Sequence, residues 1–95
     1  MSKQTLDDIK LETRKLILET LNIEDVHPEQ INTEVSLLSG ENTVCIDSID
    51  VLEVVVALQK KFQVSIRDQN HARLIVNTVD TIAEFIWSQQ EKEQS

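Results

Sequence analysis

The sequence predicts an all-α fold, a four-helix bundle of three main helices and a short third one, with a long loop between the first two. Three observations carry that prediction. The residues that build turn-rich β structure are scarce, with one Gly, one Pro and no Tyr in 95 residues. Four stretches repeat apolar side chains at helical spacing. Between the first two stretches lies a polar segment, punctuated by turn formers, that has almost no such periodicity. A chain of this length makes one small domain, 1–95.

The first helix is expected over about 3–21. Leu6, Ile9, Leu16, Ile17 and Leu21 recur on one side, with Thr13 and Thr20 filling the same face. The other face mixes Lys10, Glu12, Arg14, Lys15 and Glu19, the pattern of a structural helix. The loop spans 22–47, with Asn22, Pro28, Asn32, Ser39-Gly40 and Asn42 as punctuation. A connection longer than about 15 residues carries structure or function of its own. Ile23, Val26, Ile31, Val35, Leu37 and Leu38 are expected to pin it down, and 28–31 and 35–38 could each form a helical turn. Cys45 reads as a small apolar filler.

The second helix is expected over about 48–61. Asp47 can cap it, and Asp50, three residues on, completes a capping-box-like pair and puts negative charge at the positive helix end. Its apolar residues form two stripes rather than one. Val51, Val54, Val55, Leu58 and Phe62 gather on one side, and Ile49, Leu52 and Val56 on the other. One stripe is enough to join a core, so the second is either a docking strip or the mark of a helix covered all round by the loop. The third helix is expected over about 68–75 with Asp68 as its cap. The fourth covers about 79–90, with Thr78 as N-cap and Val79, Ile82, Phe85 and Ile86 facing inward. Trp87 falls at the bundle edge, and 91–95 reads as a frayed tail.

Charge and composition then narrow the function. The formal net charge is −8, and its location is uneven. Residues 1–21 and 59–95 are each balanced, whereas 22–58 holds Glu24, Asp25, Glu29, Glu34, Glu41, Asp47, Asp50 and Glu53 with no Lys or Arg. Such a field repels nucleic acid and anionic lipid and attracts basic protein surfaces. One glycine permits no Gly-rich phosphate loop. His27 and His71 have no second ligand at metal spacing, and no nucleophile, base and orienter share a motif. No apolar run is long enough to span a bilayer, and Met1-Ser2-Lys3-Gln4 leads into an amphipathic segment without a signal-peptide pattern. A lone cysteine forms no internal disulfide, so a cytoplasmic protein, monomeric and without membrane insertion, is expected.

The stretch Asp47-Ser48-Ile49-Asp50 at a helix start resembles the acyl carrier protein family, whose modification site reads Asp-Ser-Leu or Asp-Ser-Ile at the start of its second helix. The resemblance continues through Glu53, Ala57-Leu58, Phe62 and Ile66 to Thr78-Val79, Ile82 and Phe85-Ile86, and reaches the first helix only by pattern. It implies that Ser48 bears 4′-phosphopantetheine, attached by a separate phosphopantetheinyl transferase, and that the chain has no catalysis of its own. It implies docking to acyl-processing enzymes with basic surfaces through Ile49, Leu52 and Val56, with Asp47, Asp50 and Glu53 steering. The short branched side chains of this helix suit an acyl pocket of Val54, Val55, Leu58, Phe62, Ile66 and Leu74. Three departures stand out. Cys45-Ile46 replaces the family's common Gly before Asp-Ser, 39–44 lengthens the loop, and Gln59-Lys60-Lys61 stands where many relatives are acidic. Fatty-acid, polyketide or related synthesis fits the resemblance. A peptidyl or D-alanyl carrier, and an unmodified acidic helical adaptor, are the alternatives.

Overall fold

Each helix begins where a short polar side chain can satisfy its free N–H groups. The computed structural model describes residues 5–94. Among them lie α1 (Leu6–Thr20), a 3-10 turn (Pro28–Gln30), α2 (Ser48–Phe62), α3 (Gln69–Ile75) and α4 (Val79–Gln94), with no strand. The fold is thus an all-helical bundle. The helices wrap a single core, α1 packing on both α2 and α4 while α3 bridges α2 and α4.

The start expected near Lys3 lies outside the described residues, and α1 begins at Leu6. Thr5 sets that boundary, its Oγ1 accepting from the Asp8 N–H at 3.1 Å while the Asp8 carboxylate accepts from the Thr5 N–H at 3.4 Å. Ile9, Thr13, Leu16, Ile17 and Leu18 are buried, Leu18 being the member that the sequence pattern omitted. The helix closes in a Schellman arrangement. The Ile23 N–H donates to the Leu18 carbonyl at 2.9 Å and the Asn22 N–H to that of Glu19 at 3.2 Å, with Asn22 at φ 57°. Asparagine tolerates that left-handed conformation better than most side chains.

The loop is held by polar ties rather than by regular structure. Residues 35–38 form no helical turn, contrary to the sequence expectation, because their backbone groups are engaged elsewhere. The Leu37 N–H donates to the Asn77 carbonyl at 2.7 Å, and the Leu37 carbonyl accepts from the Ile46 N–H at 2.8 Å. Asn42 fastens the middle, donating to the Asn32 and Val35 carbonyls at 2.8 and 2.9 Å and accepting from the Asn32 N–H at 3.0 Å. Ile31, Leu37, Val44 and Ile46 reach the core, while Leu38 points out. Cys45 is exposed and is therefore no core filler. Its two neighbours, the bulkier apolar Val44 and Ile46, take the inside instead.

Val51, Val54, Val55, Leu58 and Phe62 of α2 are buried, and the helix ends at Gln63 with φ 57°. Asp68 caps α3, accepting from the His71 N–H at 2.7 Å. At α4, Thr78 and Thr81 cap each other's backbone N–H groups at 3.0 Å. Val79, Ile82, Ala83 and Ile86 are buried there, and Phe85 is half-buried with its ring at an edge-on 5.6 Å from His71. The helix runs on to Gln94 instead of stopping near Gln90. Glu, Lys and Gln are good helix formers and need no apolar partner to extend an existing helix. Lys10 meets Asp80 at 3.0 Å and Lys61 meets Glu12 at 3.2 Å, which ties α1 to α4 and to the far end of α2.

Candidate functional site

Ser48 is the first residue of α2 and is exposed. The carboxylate of Asp47 accepts from the N–H groups of Ile49 at 3.0 Å and Asp50 at 2.9 Å. Asp50 answers by accepting from the Asp47 N–H at 3.3 Å. Two carboxylates are thus committed to the helix's own unpaired donors, and they fix the turn that carries Ser48. Among the described residues nothing hydrogen-bonds the serine hydroxyl, which is left open to approach from outside. The arrangement suits an alcohol offered to another protein's chemistry better than a nucleophile working within its own site.

Open space lies on both sides of Ser48. A hollow of about 140 Å³ separates it from α3, with Ile49, Val51, Leu52, Ala72 and Arg73 in its walls. A second, of about 430 Å³, faces the loop and is lined by Leu38, Cys45, Ile46, Asp47, Val51 and Arg73. Further along α2, a groove of about 480 Å³ runs past Thr20, Leu52, Glu53, Val56, Ala57 and Lys60.

The second apolar stripe of α2 is bare. Ile49 is 71% exposed, Leu52 46% and Val56 49%. The loop does not cover this helix all round, so the surplus stripe of the sequence is a surface feature. Asp47 and Glu53 are exposed beside it and Asp50 is half-buried.

The residues expected to form an acyl pocket are not gathered at Ser48. Val54, Val55, Leu58 and Phe62 are buried in the core, Ile66 is half-buried, and none of them lines either hollow. Leu74 is a correction: it is 74% exposed and lines neither hollow. On a helix as short as α3, Ala72 and Ile75 take the inward positions and leave Leu74 on the outer side. Sequence reasoning missed Arg73, which lines both hollows together with Ser48. Its only sequence signal is its place next to buried Ala72 on the capped third helix. Among the described residues no three His, Cys, Asp or Glu side chains are grouped to hold a metal ion. No helix among them is long and apolar enough to cross a membrane.

No protein-family model matches the sequence. The chain is 32% identical over 80 residues to an acyl carrier protein of Wolinella succinogenes, a match that covers 84% of this chain and 90% of that protein. Identity of that extent, over 84% of so small a chain and 90% of the relative, places this chain in the acyl carrier protein family.

Proposed function

We propose that this chain carries acyl groups as thioesters on a 4′-phosphopantetheine arm joined to Ser48, and presents them to enzymes of fatty-acid, polyketide or related synthesis. Acyl carrier proteins in general are non-catalytic and bear this group. The observation that carries the proposal for Ser48 is its exposed, unbonded hydroxyl on a doubly capped turn with a hollow on either side. When bound, the group supplies a terminal thiol at the end of a flexible tether. The chain's own task is to hold the Ser48 oxygen still and open while a phosphopantetheinyl transferase acts. In that step the serine oxygen bonds to the pantetheine phosphate of coenzyme A, adenosine bisphosphate leaves, and the serine proton passes to the transferase.

Ile49, Leu52 and Val56 form the docking strip, and Asp47, Asp50 and Glu53 draw in basic partner surfaces at long range. The buried side chains Val54, Val55, Leu58 and Phe62, with Ile66, are the part of the core that would separate to shelter an aliphatic chain. The carrier is proposed to work as a cytoplasmic monomer, a reading supported by the net charge of −8 and the lone cysteine.

Intact mass tests the proposal. Incubation with coenzyme A and a broad-specificity transferase should add about 340 Da, and Ser48→Ala should abolish the gain. No gain with several transferases would overturn the carrier reading and leave an adaptor that uses the bare stripe alone.

A further inference from the structure

We infer that Arg73 holds the anionic phosphodiester formed at Ser48, an inference that rests on the carrier reading and names the residue that receives the arm. Ser48, Val51 and Arg73 are the three residues that the two hollows beside the serine have in common. Of the residues lining those hollows, Arg73 is the one cation. A group attached to Ser48 that lies in either hollow shares that hollow with Arg73.

Arg73 is also uncommitted. Among the described residues it has no ion pair and no hydrogen bond, whereas Lys10, Lys15 and Lys61 lie at 3.0, 3.8 and 3.2 Å from carboxylates. Asp47 and Asp50, the acids nearest in sequence to Ser48, accept from backbone N–H groups and do not engage it. A new negative charge at Ser48 would otherwise sit beside Asp47, Asp50 and Glu53, offset only by a helix N-terminus whose N–H groups Asp47 already engages. A guanidinium is suited to this task, because its planar fork meets two phosphate oxygens at once. Since Arg73 is exposed, the pairing is screened by salt and of modest size. The contact joins α3 to the first turn of α2, across the smaller hollow.

The test uses the full chain in its unmodified and modified forms. Intact mass reports whether the arm is attached, and the arginine Nε–Hε signals in a proton–nitrogen correlation spectrum report on Arg73, assigned by its loss in Arg73→Gln. On modification the Arg73 signal should move while those of Arg14 and Arg67 stay, and added salt should shrink the movement. The melting temperature of modified Arg73→Gln, relative to its own unmodified form, should fall about 2–4 °C below the corresponding wild-type difference. Arg73→Lys should recover part of that loss and Arg67→Gln should show none. A gain in mass with an unmoved Arg73 signal overturns this inference alone. Failure to gain mass overturns the carrier reading and this inference with it.

Discussion

The two faces of α2 are built from the same kinds of residue and meet opposite fates. Val51, Val54, Val55, Leu58 and Phe62 disappear into the core, while Ile49, Leu52 and Val56 stay in water. Hydrophobicity alone does not sort them. The sorting comes from what each face meets, because α1 and α3 pack on the helix and bury one stripe while no element covers Ile49, Leu52 and Val56. A bundle this small has only enough surrounding chain to cover one stripe. The uncovered stripe begins at the serine, so a protein that recognises it arrives with Ser48 within reach.

Truncation at the two faces should separate stability from recognition. Leu58→Ala removes a fully buried side chain and should cost about 2–5 kcal/mol, visible as a large fall in the denaturation midpoint. A cost below about 1 kcal/mol would show that the core around α2 is loose rather than packed. Asp47→Ala should cost about 1 kcal/mol by leaving the Ile49 and Asp50 N–H groups without their acceptor, and it should also slow the transferase by loosening the turn under Ser48. Equal transferase rates for this variant and wild type would separate the cap from the site. Ile49→Ala should change stability by no more than about 0.5 kcal/mol while weakening binding to partner enzymes, measured by titration calorimetry. Unchanged binding would remove the exposed stripe from the docking surface.

What could be read from the amino acids follows the range of the forces involved. Asp47, Asp68 and Thr78 mark helix starts because a cap acts within three residues, and both stripes of α2 follow from its own periodicity. The loop resisted reading because its shape is set by distant partners: Leu37 bonds to Asn77, and Thr33 accepts from the Asp80 N–H at 3.0 Å. No local pattern at 35–38 announces bonds to residues some forty positions away. Arg73 was hidden for the same reason. The acidic tract from 22 to 58 has no cation in sequence, and only the packing of α3 against α2 places one at the serine. Leu74 was misjudged because seven helical residues offer too few turns for periodicity to fix which side faces in.

The pair of backbone bonds that runs from Asn77 through Leu37 to Ile46 has a mechanical consequence. It links the corner where α3 passes into α4 to the residue two places ahead of the serine. A tilt of that corner away from α2 would pull on the segment leading into the serine's turn, so that widening the smaller hollow and repositioning the hydroxyl would be one movement.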